Sequence, residues 1–116
     1  MIAPGSVVLV RFPLTSGTSM KTRPAVVVAS EDDASDALVT VAAITSSQRR
    51  LGEERGGAVS VDDLSLAGLA RPSIVQTHRL FTSQESKIGK LLGTLTAHKM
   101  QEVRDSISGY LGLLNE

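Results

Sequence analysis

The sequence predicts a mainly β fold: a small, half-open barrel of five or six short strands, with one C-terminal helix packed against it. Three observations carry this prediction. Up to Leu95, short runs rich in Val, Ile and Leu alternate with turn-type residues. One run, Ala25-Val26-Val27-Val28-Ala29, is apolar on both parities, as expected for a central strand buried on both faces. The period changes only after Thr96, where Met100, Val103, Ile107, Tyr110, Leu111 and Leu114 recur at helical spacing.

In chain order, Ser6–Phe12 is the first strand and Pro13–Lys21 a loop of Thr, Ser and Gly. Pro24–Ser30 is the second strand, followed by an acidic, solvated turn over 31–36. Ala37–Thr45 is the third strand, and Ser46–Gly57 a long polar loop. Ala58–Val61 is a short fourth strand; one helical turn is expected after Asp62 or Asp63 in an otherwise irregular stretch to Pro72. Ser73–Thr82 and Ile88–Gly93 complete the strands. The helix runs from Ala97 to Leu114 with Thr96 as its N-cap, and Gly109 costs it roughly 1 kcal/mol relative to Ala. No repeat or linker divides the chain, so residues 1–116 are expected to form one domain.

Composition narrows the function classes. With two Phe, one Tyr and no Trp, the core must be aliphatic, and an aromatic-lined peptide groove of the SH3 kind is disfavoured. The absence of Cys excludes disulfides and thiolate metal sites. No apolar run approaches the ~20 residues of a membrane span, and the first residues lack a signal-peptide pattern, so a cytoplasmic location is expected. Twelve basic and twelve acidic residues give zero formal charge, which argues against coating nucleic acid by bulk charge. The cations are uneven, however, and a local basic patch is compatible with a neutral chain. The adjacent pairs Asp32-Asp33 and Asp62-Asp63 read as solvated turn residues. With no His/Asp ligand spacing, Gly-rich phosphate loop or nucleophile elbow, neither metal nor cofactor is expected.

Several segments have a familiar order. Gly5-Ser-Val-Val-Leu-Val-Arg-Phe-Pro13 is followed by Thr22-Arg23-Pro24-Ala25-Val26-Val27-Val28-Ala29-Ser30. Val41-Ala-Ala-Ile-Thr45-Ser46 comes next, then Arg71-Pro72-Ser73-Ile74-Val75 leading into Thr77-His78-Arg79-Leu80-Phe81-Thr82. This ordered set, through Leu91–Leu95 and the final helix, resembles the MazF/PemK ribonuclease toxins over nearly the whole chain. The resemblance implies an SH3-like small β-barrel of the CcdB/PemK type, a homodimer and a cognate antitoxin partner, with operator DNA engaged only through that antitoxin. It also implies metal-independent cleavage of single-stranded RNA by attack of a 2′-OH on the adjacent phosphate.

Such a reaction requires removal of the 2′ proton, stabilisation of phosphate charge and protonation of the 5′-oxygen. Arg23, where a loop enters a buried strand, occupies the position of the family's catalytic Arg. Its planar fork of donors suits phosphate oxygens, and stabilising charge suits it better than acting as a base. Thr45 occupies the catalytic Thr/Ser position, and Ser46 and Ser47 offer further hydroxyls. His78 departs from the acidic residue usual there; a catalytic acid or base, a base-reading contact and a structural residue are all open to it. Arg11, Lys21, Arg49, Arg50 and Arg79 are candidates to line an RNA groove. Phe12 is a candidate base-stacking residue or a core residue. The loops 14–22 and 46–56 would gate the groove, where the family's antitoxin inserts. The competing reading is a non-enzymatic binder, either a CcdB-like gyrase poison or a degenerate toxin that only binds its antitoxin. The presence of both Arg23 and Thr45 favours the enzyme.

Overall fold

Six of the apolar runs become six antiparallel strands in the computed structural model, which describes residues 2–13, 19–31, 35–46 and 58–113. They are β1 (Ser6–Pro13), β2 (Met20–Ser30), β3 (Leu38–Thr45), β4 (Ala58–Ser60), β5 (Ile74–Gln84) and β6 (Leu91–Thr94). A short helix, α1 (Leu64–Ala67), precedes β5, a 3-10 turn (Glu85–Lys87) follows it, and α2 (Ala97–Leu111) ends the fold. The strand order is β4-β5-β3-β2-β1-β6, so the doubly apolar β2 lies inside the sheet as expected.

Bulges curl the sheet. Val28 is extra against β3, and Thr77-His78-Arg79 are skipped where Ala42 pairs with Leu80 and Ala43 with Gln76. Extra residues on one strand bend it and sharpen its twist. The curl brings Phe12, near the end of β1, to 5.4 Å from Phe81 on β5, although β2 and β3 separate these strands in the sheet. Alternate side chains feed two cores. Val7, Val26, Ile44 and Val75 pack with Met100 and Val103 of α2. Val8, Val10, Phe12, Ala25, Val27 and Val41 pack on the opposite face. Burying each such Val or Ile side chain contributes about 1.5–3 kcal/mol. Phe12, 3% exposed, thus takes the core role rather than that of a base-stacking residue.

Several boundaries differ from expectation. β2 begins at Met20, because Met20–Arg23 are held by pairing with β1 although their own pattern is polar. β5 runs on to Gln84, and β6 begins only at Leu91, because Ile88 caps the 3-10 turn and Gly89 and Lys90 meet β1 irregularly through Leu9. α2 stops at Leu111, where Gly112 adopts φ 73° as its left-handed cap; Leu114 lies outside the described residues. The expected helical turn is α1, with Asp63 accepting a hydrogen bond from the Leu66 amide. Thr96 accepts from the Lys99 amide at 3.1 Å, the expected N-cap.

Lys99 ties the start of α2 to the segment before α1. Its ammonium lies 2.9 Å from Asp62 and 3.2 Å from Glu102, with the aliphatic stem buried. Burial pushes the Lys99 ammonium down, but its bonds to Asp62 and Glu102 outweigh that and raise it above its ordinary value. The Lys99 hydrogen bond and charge hold Asp62 below the usual aspartate range. A lowered folded value means that Asp62 stabilises the fold above its unfolded value and loses that contribution as pH falls through the folded one. Asp62→Asn is therefore expected to flatten the acid limb of thermal stability measured between about pH 6 and pH 2. An unchanged limb would show that Lys99 holds this segment by stem packing alone.

Candidate active site

A proline inside a strand opens the site. Leu9 of β1 faces Pro24 of β2, yet both backbone groups of Leu9 bond to the segment at Gly89 and Lys90 on its other side. The backbone of Pro24 therefore points toward β3, where it has no N–H to donate. The β2–β3 ladder stops at Ala25↔Ala43, and Met20–Arg23 continue with β1 alone. A cleft of 450 Å³ lies where the two strands part.

The register decides what enters it. Ala25 faces Ala43, and Arg23 and Thr45, each two residues further along its strand, share the parity of that pair. Both line the cleft, together with Lys21, Ser46, Arg71 and Ser73. Arg23 is half-buried and Thr45 is 5% exposed, so Thr45 is the more enclosed of the two. Among the described residues no carboxylate or imidazole lines the cleft, and Lys21, Arg23 and Arg71 form no ion pair. Three cations line the same space as Thr45 and Ser46, an arrangement suited to binding an anion and stabilising charge that grows on it.

Of the residues singled out in the sequence, Lys21, Arg23, Thr45 and Ser46 come together here. Ser47, Arg49 and Arg50 lie outside the described residues, as does most of the two loops expected to gate the groove. Arg11 lines a separate groove of 670 Å³ with Met20, Leu38 and Lys87. His78 and Arg79 do not line the cleft. Both sit on the β5 bulge, where Thr77 bonds Ser106 of α2 at 2.7 Å and the His78 ring meets Tyr110 edge-on at 6.3 Å. At the bulge His78 meets the helix, and it is not among the described residues that line the cleft with Arg23 and Thr45. His98 is solvent-facing and pairs with Glu102. Arg71 and Ser73 were not foreseen as site residues. The signal for Arg71 was its sequence: Arg71-Pro72 repeats Arg23-Pro24, each an arginine set at the mouth of a strand by a proline.

A curled antiparallel sheet with a C-terminal helix, opening between two central strands onto a cleft lined by cations and hydroxyls, defines a small half-barrel β protein with a cleft suited to an anion. Comparison with known families makes this specific. The family model of the PemK-like, MazF-like toxin of type II toxin-antitoxin system matches residues 3–111, and the chain belongs to that family. No curated protein matches by sequence. Among solved structures, an endoribonuclease in complex with its cognate antitoxin from Mycobacterial species superposes with a TM-score of 0.76 at 15% identity, covering 100% of both chains. Mycobacterium tuberculosis toxin MazF-mt6 gives 0.71 at 23% identity, covering 98% of this chain and 100% of its own. The MazE–MazF structure from Deinococcus radiodurans gives 0.72 at 19% identity, covering 97% of each chain. These proteins share the fold, so the same half-barrel is built here from a largely different set of residues.

Proposed function

We propose that the chain is an endoribonuclease toxin that cuts single-stranded RNA at a short recurring sequence and is silenced by a cognate antitoxin. The observation that carries this reading is the meeting of Arg23 and Thr45 across the opened β2–β3 ladder, in one cleft with no carboxylate among its described lining. Similarity to two solved endoribonucleases, one in complex with its cognate antitoxin, supports it.

In this mechanism the substrate supplies its own nucleophile. The 2′-oxygen attacks the adjacent phosphorus, the bond from phosphorus to the 5′-oxygen breaks, and the products are a 2′,3′-cyclic phosphate and a 5′-hydroxyl. Water takes the proton of the 2′-OH and supplies one to the leaving 5′-oxygen. Arg23 neutralises the charge that builds on the phosphate, using a fork of donors that never loses its own proton. Thr45 donates its hydroxyl to a phosphate oxygen. No metal takes part. His78 does not line the cleft and meets Tyr110 edge-on, so this scheme gives it no proton transfer. The toxin works as a homodimer in the cytoplasm; the exposed Tyr110 and Leu111 at the end of α2 offer apolar surface for a second subunit.

The test is incubation of the purified protein with a long single-stranded RNA in EDTA, with mapping of the cut ends. Cuts at a recurring short sequence that leave cyclic-phosphate ends are expected. A folded, antitoxin-binding protein that leaves RNA intact would establish the binder instead and direct the search to gyrase.

A further inference from the structure

Arg71, like Lys21, is a cation of the cleft that the catalytic scheme leaves without a task. We propose that it is a substrate-positioning residue: it grips an RNA phosphate next to the scissile one, from the wall of the cleft opposite Arg23. This rests on the ribonuclease reading and extends it.

The sheet order carries the first part of the argument. β3 lies between β2 and β5, so Arg23 on β2 and the Arg71–Ser73 segment leading into β5 stand on either side of Thr45 at the end of β3. All of these line one cleft. A polyanion laid across Thr45 therefore has a guanidinium on each flank. Phosphates recur along RNA at every nucleotide, so a strand held by Arg23 at one phosphate presents its neighbour to the other wall.

The second part is preorganisation. Arg71 is exposed, but the backbone beneath it is fixed. The hydroxyl of buried Ser73 donates to the Arg71 carbonyl at 2.8 Å. The Ser73 carbonyl accepts from the Val61 amide at 3.0 Å, and Pro72 locks the backbone between them. A fixed base beneath a solvent-facing head lowers the entropy lost when that head binds. The third part is charge. No described carboxylate pairs with Arg71, in a chain whose acids and bases cancel overall. The guanidinium is thus available to an anion from solution, and its planar fork fits phosphate oxygens.

A positioning phosphate contact changes affinity and its salt dependence while sparing the chemical step. Arg71→Ala is expected to raise KM for RNA cleavage about tenfold, with kcat within about twofold of the unsubstituted protein. Direct titration of a non-cleavable 2′-O-methyl oligoribonucleotide should show the same loss, and the slope of log affinity against log salt should become shallower by about 1. Arg71→Lys should recover the slope and part of the affinity. A fall in kcat at unchanged KM, or an unaltered salt slope, overturns the proposal while leaving the ribonuclease reading intact. Failure of the unsubstituted protein to bind or cut RNA overturns both. Circular dichroism of each variant guards against counting a folding defect as lost binding.

Discussion

Arg23→Ala is expected to lower the rate of RNA cleavage about 10²- to 10³-fold, the usual cost of removing one preorganised donor from a developing oxyanion. The thermal midpoint should hardly move. Arg23 is half-buried, forms no ion pair among the described residues, and sits where β2 has already left β3. Its removal leaves no buried charge uncompensated and breaks no sheet hydrogen bond. Arg23→Lys keeps the charge but loses the planar fork, so it should recover only part of the rate. The informative measurement is the single-turnover rate at saturating RNA beside the melting curve of the same preparation. Full activity in folded Arg23→Ala would mean that the chemistry happens elsewhere on the molecule. Equal loss of stability and activity would mean that Arg23 serves the fold.

Gly93→Ala should have a large effect on stability. A Cβ at Gly93 would lie 2.2 Å from the Leu66 carbonyl oxygen and 2.5 Å from the Ala67 carbonyl carbon. Those are backbone atoms of α1, which cannot swing aside as the end of a side chain can. The contact is reciprocal: a Cβ on Gly68, at φ 74°, would meet the Leu92 carbonyl oxygen at 2.1 Å. Here α1 rests backbone to backbone on β6, with Ala67 fully buried in the core. A single methyl at Gly93 must push the helix away and open that packing. The expected cost is about 3 kcal/mol, the upper end of overpacking penalties. In a domain of this size that lowers the melting temperature by roughly 10 °C. Calorimetry of the variant checks it; a loss below about 1 kcal/mol would show that α1 is only loosely seated.

The strands were legible wherever apolar residues set their own pattern. The double parity of Ala25–Ala29 places β2 inside the sheet, and its residues do divide between two cores. Phe12 was legible too, since it continues the alternation of Val8 and Val10 that fills one core. The start of β2 was not, because Met20–Arg23 become strand through a partner rather than through their own composition. The bulge at Thr77–Arg79 was hidden for a related reason: it exists only in the register of β5 against β3. That register is why His78, a residue with suitable chemistry, lies against Tyr110. Arg23 and Thr45 were recognisable individually through the family resemblance, but their meeting depends on Ala25 facing Ala43, which no one-dimensional pattern contains. Arg71 was overlooked because it lies in an irregular, exposed segment, where periodicity carries no information.

Pro24 has an evolutionary consequence. The opening between β2 and β3 lies at a residue that cannot donate a hydrogen bond. Any residue with an N–H at that place would offer the ladder one more rung and draw the two strands together over the space that Arg23 and Thr45 share. Selection for a tighter sheet and selection for an open cleft therefore oppose each other at this position. Consensus or stability-guided redesign, which rewards completed ladders, would treat Pro24 as a defect to repair and would close the cleft in doing so.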